Sequence, residues 1–134
     1  MTKVMIDTNI IISAVLFPGG QAAKALQKAL GVQYEPIVCD YILDELERKF
    51  KEKFPHKMKE YYEFIDSFPE TVKIVKTPSI VNDNESKIRD PKDRPILRAA
   101  LNEHADLFLT GDKDFLESSV EDPRIVSVAT FLNE

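Results

Sequence analysis

Short apolar runs of strand length alternate along the chain with stretches of helical period. That alternation confines the chain to a parallel sheet with helices over both faces. Residues 3–6 ("KVMI") predict a first strand, and 8–16 a helix in which Ile11, Ile12, Val15 and Leu16 recur at the helical period. "FPGG" breaks that helix, and a second is expected over 22–30, stopped by Gly31. A second strand is expected at 36–39. Asp40 then reads as the cap of a helix with Ile42, Leu43, Leu46 and Phe50 on one face. Met58, Tyr61, Tyr62, Ile65 and Phe68 make the apolar stripe of the next helix, and 71–75 alternates as a strand. Residues 76–95 are polar and broken by prolines, so they read as one long loop. Asp93 can cap a helix carrying Ile96, Leu97, Ala100 and Leu101. Residues 107–110 form the next strand, 113–118 a short helix, and 124–134 a last strand and tail. The expected architecture is α/β, with a mostly parallel central sheet of about five strands.

The 134 residues fit one domain, 1–134. A lone cysteine, Cys39, lies in an apolar run and is expected to pack there, as suits a reducing cytoplasm. No apolar stretch reaches the length of about 20 residues that a membrane span needs, so no membrane association is expected.

In open parallel sheets, sites form beyond the carboxyl ends of the strands, where the strand order reverses. Asp7 directly follows the first strand, and Asp112 follows the strand at 107–110. If those strands are neighbours, residues more than a hundred positions apart share one crevice. Taken singly, Asp7, Asp93 and Asp112 each read equally well as helix caps. Glu45 is one of three acids on its helix, with Asp44 and Glu47. Periodicity does not single it out; its depth, about one turn in from the strand end, favours it. Jointly the acids read differently, because clustered carboxylates repel one another unless a cation lies among them. No histidine or cysteine cluster accompanies them. The all-oxygen set selects Mg²⁺ or Mn²⁺ rather than zinc. Such ions suit in-line hydrolysis of a phosphodiester, which should leave a 5′-phosphate on one product.

The formal net charge of −5 argues against a nucleic-acid substrate, but Arg48, Lys49, Lys51, Lys53, Lys57 and Lys59 crowd one segment against the single acid Glu52. That segment reads either as a solvated corner or as a candidate RNA-binding patch comprising Arg48, Lys49, Lys51, Lys53 and Lys57.

In order along the chain, "MIDTNIIISAVL", "CDYILDELERKF", "DPKDRPILRAAL", "ADLFLTGDKDFL" and "IVSVATFL" resemble the PIN-domain ribonuclease family, most of all its VapC-like branch of toxins from toxin–antitoxin pairs. The resemblance runs over nearly the whole chain. It implies a three-layer α/β/α fold and an Mg²⁺- or Mn²⁺-dependent endoribonuclease. Asp7, Glu45, Asp93 and Asp112 match the family's catalytic acids. Asp7, Asp93, Asp112 and the accessory Asp114 would hold metal, and Asn9 and Thr110 would orient carboxylates. Asp90 is a rival for Asp93, which the spacing to the following helix favours. The resemblance also implies a small antitoxin protein as partner, and homodimers. Two other readings stand beside it. A haloacid-dehalogenase-like phosphatase would want an aspartate where Asn9 stands, and a non-catalytic PIN binding module would need no clustered acids.

Overall fold

The computed structural model describes residues 1–134, the side chain of Pro69 excepted. Five strands, β1 (Thr2–Ile6), β2 (Tyr34–Cys39), β3 (Lys73–Val75), β4 (Leu107–Leu109) and β5 (Arg124–Val126), form a fully parallel sheet in the order β3-β2-β1-β4-β5. The chain winds outward from β1 to β3, then crosses back to β4. The order therefore reverses between β1 and β4. Val4, Met5 and Ile6 are consecutive and all fully buried, as are Ile37, Val38 and Cys39. Side chains alternate between faces along a strand, so both faces of the sheet are covered.

The helices are α1 (Thr8–Leu16), α2 (Gln21–Ala29), α3 (Asp40–Lys53), α4 (Met58–Asp66), α5 (Phe68–Thr71), α6 (Arg94–Asn102), α7 (Lys113–Leu116) and α8 (Val128–Leu132). Helix α1 is apolar nearly all round, with Ile10, Ile11, Ile12, Ala14 and Val15 buried, and it contacts α2, α3 and α4. A helix of that composition belongs inside the molecule. Leu46 and Phe50 of α3 are fully buried, and the Phe50 ring stacks on Tyr61 of α4 at 4.9 Å. No helix is long and apolar enough to cross a membrane among the described residues.

Local departures from the sequence expectations have simple causes. Residues 68–71 close into α5, so the third strand starts at Lys73 and not at 71. The expected tail instead contains α8. Ser127 caps it by accepting from the Thr130 amide at 3.1 Å, and the fully buried Phe131 anchors it edge-on against Tyr34. Tyr62 lies outside the apolar stripe of α4 and is half exposed. Cys39 occupies the cap position of α3, and Asp40 is its first residue; the Asp40 carboxylate accepts from the first-turn amide of Tyr41 at 2.9 Å, as expected, and also from the Thr77 amide at 2.8 Å and the Thr77 hydroxyl.

The long loop is more ordered than its composition suggests. Two 3₁₀ turns, Asp83–Lys87 and Pro91–Asp93, occupy it. Asn82 and Glu85 form a capping box at the first, satisfying backbone donors reciprocally. Glu85 also receives both Nε and Nη2 of Arg98 at 2.8 Å, while Arg98 Nη1 donates to the Pro78 carbonyl at 2.9 Å. This fork holds Glu85 below the usual carboxylate range, the Arg98 hydrogen bonds being the main cause. Replacing Arg98 by methionine would leave the buried Glu85 charge unpaired. We expect Arg98→Met to lose about 3 kcal/mol in urea denaturation at pH 7. A loss under 1 kcal/mol would show that the loop is held by other contacts.

Candidate active site

The register of β1 on β4 sets Ile6 opposite Leu109, and the Asp7 amide donates to the Leu109 carbonyl at 3.0 Å. Asp7 and Thr110 therefore emerge side by side at the strand ends. Thr110 is fully buried, and its hydroxyl donates to Asp7 Oδ2 at 2.7 Å while accepting from the Asp112 amide at 2.9 Å. One hydroxyl thus ties the two aspartates into a single frame. The other Asp7 oxygen accepts from the Thr8 amide at 2.8 Å, so Asp7 is both the cap of α1 and a wall of the crevice. Asp112 likewise caps α7, accepting from the Asp114 amide at 2.9 Å. A capping aspartate keeps lone pairs to spare, so the two roles coexist.

Asp93 is different. It occupies the cap position just before α6, but its side chain makes no capping hydrogen bond. The cap of the preceding turn is Asp90, which accepts from the Lys92 amide at 3.0 Å. The expectation that Asp93 is a cap is therefore corrected: its carboxylate is left to the crevice. Glu45 comes from α3 and accepts from the Thr8 hydroxyl, with Arg48 at 4.0 Å from its other oxygen. Asp114 pairs with Arg89 at 2.7 Å.

The six acids Asp7, Glu45, Asp90, Asp93, Asp112 and Asp114 line one crevice of about 310 Å³, together with Thr8, Asn9, Arg48, Lys49 and Lys92. Carboxylate oxygens of Asp90, Asp93 and Asp114 lie within 4.8 Å of one another. Asp90 is thus as much a part of the cluster as Asp93, and the sequence had set it aside. Thr8 was missed altogether, because "DTN" reads as a capping motif and its bond to Glu45 spans 37 positions. Lys51, Lys53 and Lys57 do not line the crevice; Lys51 is paired with Glu47 at 3.0 Å. A larger open groove of about 810 Å³ beside α6 holds Lys76, Arg98 and His104 but no carboxylate.

The electrostatics report the crowding. Burial pushes the Asp7 carboxyl up to about 6, against the lowering effect of the Thr110 and Thr8 hydrogen bonds and with smaller repulsion from Glu45 and Asp112. Asp93 is pushed up to about 7, by burial first and then by the charges of Asp112, Asp7, Asp90 and Glu45. Six carboxylates therefore line one crevice, of which Asp90, Asp93 and Asp114 form the tight group; Arg48 and Arg89 pair with Glu45 and Asp114, and among the described residues no ion pair reaches Asp7 or Asp93. The donor set is all oxygen, which fits a hard divalent cation.

The sequence matches the PIN domain family over residues 3–114. This chain belongs to the PIN domain family. Its fold is that of solved VapBC structures. VapBC2 from Rickettsia felis, bound to a DNA fragment from their promoter, superposes with a TM-score of 0.69 at 16% identity, over 94% of this chain and 98% of that one. DNA-bound VapBC from Salmonella typhimurium gives 0.69 at 16% identity, over 96% of this chain and 99% of that one. No curated protein matches the sequence. In this PIN domain the order reversal between β1 and β4 brings Asp7 and Asp112 to one crevice, α3 adds Glu45, and the 3₁₀ turn before α6 adds Asp93.

The raised carboxyls make a signed prediction for the metal-free protein. The folded state holds the Asp7 and Asp93 protons more tightly than the unfolded chain does. The stability these two groups contribute is therefore fully present below about pH 4 and is lost as pH rises through about 6–7. For the fully buried Asp7 alone the loss is on the order of 2–3 kcal/mol. Asp40, Glu85 and Glu134 are shifted down, so they act below that window. In chelator, the melting temperature should fall between pH 5 and pH 8, and Asp7→Asn should flatten the fall. A melting temperature that rises over that interval would contradict the crowding.

Proposed function

We propose that the chain is a Mg²⁺- or Mn²⁺-dependent endoribonuclease and the toxin of a toxin–antitoxin pair, working in the cytoplasm on RNA. The observation that carries the reading is the convergence of Asp7, Glu45, Asp90, Asp93, Asp112 and Asp114 on one crevice at the point of strand-order reversal. PIN family membership supports nuclease chemistry over phosphatase chemistry, and Asn9 stands where a phosphatase would need its acid. The VapBC neighbours support an antitoxin partner, and the resemblance to VapC-like toxins adds homodimer formation.

In this reading Asp7, Asp93 and Asp112 hold the ion, with Asp114 beside them and Asp90 within reach. A hard divalent ion bound there supplies water activation and neutralises charge on the phosphate. Thr110 fixes the direction of Asp7 and the backbone of Asp112 with one hydroxyl. Thr8 holds one oxygen of Glu45; the other, with Arg48 at 4.0 Å, would orient a water and take its proton. Asn9 lines the same wall. Arg48 and Lys49, at the crevice mouth, bind the phosphates flanking the cut.

The direct experiment is cleavage of a mixed RNA pool with Mn²⁺, Mg²⁺ or excess chelator, with the 5′ ends of the products mapped. Cleavage with either ion and none in chelator is expected; robust cleavage in chelator would overturn the mechanism. Absence of cleavage under every condition, with RNA still bound, would favour a binding module. The basic segment makes a finer prediction. Arg48→Ala with Lys49→Ala should raise KM for RNA about tenfold and flatten its salt dependence by about two contacts, while Lys53→Ala with Lys57→Ala changes little. Equal effects of the two pairs would extend the substrate path along the whole basic segment.

A further inference from the structure

Asp93 is the least supported acid of the crevice. It sits in a 3₁₀ turn of three residues, Pro91–Asp93, its side chain caps nothing, and four neighbouring carboxylates repel it. Left to itself, such a turn would swing its charge outward. Something must hold the segment in.

The hold comes from the first turn of α3. The Tyr41 hydroxyl donates to the Lys92 carbonyl at 2.6 Å, across 51 positions of sequence. Tyr41 itself is half-buried, placed by the strand-to-helix junction at Cys39. Its hydroxyl is pushed above the usual range, by burial first and then by the charges of Glu45 and Asp93, as its seat beside both acids requires. The preceding residue, Asp40, grips the loop's entrance at Thr77. The start of α3 thus clasps the loop at both ends, and the Tyr41 contact is the one adjoining Asp93.

We propose that Tyr41 is a positioning residue: its hydroxyl, through the Lys92 carbonyl, holds Asp93 in the acidic crevice against the repulsion of the other carboxylates. The consequence for metal binding rests on the reading above, whereas the consequence for the turn does not. Tyr41→Phe removes the single oxygen and keeps the ring. Thr77→Val removes one hydroxyl from the opposite end of the same loop and serves as the matched control.

Two measurements decide the proposal. In metal-free protein, hydrogen exchange at the Lys92 and Asp93 amides, which bond to Asp90, should quicken about fivefold in Tyr41→Phe and stay unchanged in Thr77→Val. Mn²⁺ titration followed by electron paramagnetic resonance should show roughly tenfold weaker binding in Tyr41→Phe and none of that loss in Thr77→Val. In RNA cleavage, kcat should fall with KM unchanged, since Arg48 and Lys49 are untouched. Unchanged exchange at Lys92 and Asp93 in Tyr41→Phe overturns the proposal, and so does an equal effect of Thr77→Val. If the unmodified protein takes up no Mn²⁺, the metal reading fails, while the exchange comparison still decides what Tyr41 does.

Discussion

Ile6 lies opposite Leu109, and everything at the crevice depends on that register. It makes Asp7 and Thr110 adjacent as they leave the sheet, so that one buried hydroxyl can bind Asp7 and the Asp112 amide together. A slip of one residue would turn every side chain of β1 to the opposite face and part the two. The slip is opposed by burial, since Val4, Met5, Ile6, Phe108 and Leu109 are all fully enclosed between helical layers. The hydrophobic core therefore sets the position of the acids, and the acids do not have to stabilise themselves.

They could not. Four of the crevice acids raise the Asp93 carboxyl further after burial has already raised it, and Asp7 is raised even with two hydrogen bonds opposing the shift. The surrounding structure holds each acid in place by a different means. Asp7 and Asp112 are fixed by capping helices, Glu45 by Thr8, and Asp114 by the charge of Arg89. The loop bearing Asp90 and Asp93 is pinned by the Arg98–Glu85 fork in its middle and by α3 at its ends. A preorganised cluster of this kind loses free energy when empty of cations and regains it when one binds.

The central strands were legible because they are buried on both faces and so appear as apolar runs ending at polar residues, as at Asp7 and Thr110. Capping and crevice roles could not be separated for Asp7 or Asp112 because each carboxylate does both. Asp93 differs: it stands at the cap position of α6, as its sequence suggests, but its carboxylate caps nothing, and only the fold shows Asp90 capping the turn before it. Elsewhere the missing information was long-range. Nothing near Glu85 announces Arg98 thirteen positions later, and nothing near Tyr41 announces Lys92. Helix α8 was hidden by its brevity, five residues held by one cap and one buried ring.

The central claim is that the acids form one cation-binding unit, and Asp112→Asn tests it most directly. Asparagine can cap α7 as aspartate does, so the substitution removes charge and little else. Thermal melting of both proteins should be recorded in chelator and in Mn²⁺. The account predicts that Asp112→Asn melts higher than the parent in chelator, because repulsion on Asp7 and Asp93 is relieved. It also predicts that Mn²⁺ reverses the order, since a ligand at a hundredfold excess over its Kd adds about 2.7 kcal/mol to the parent and much less to a mutant that binds it poorly. A mutant that melts lower in chelator and gains as much from Mn²⁺ as the parent would reduce Asp112 to an ordinary helix cap and contradict the account.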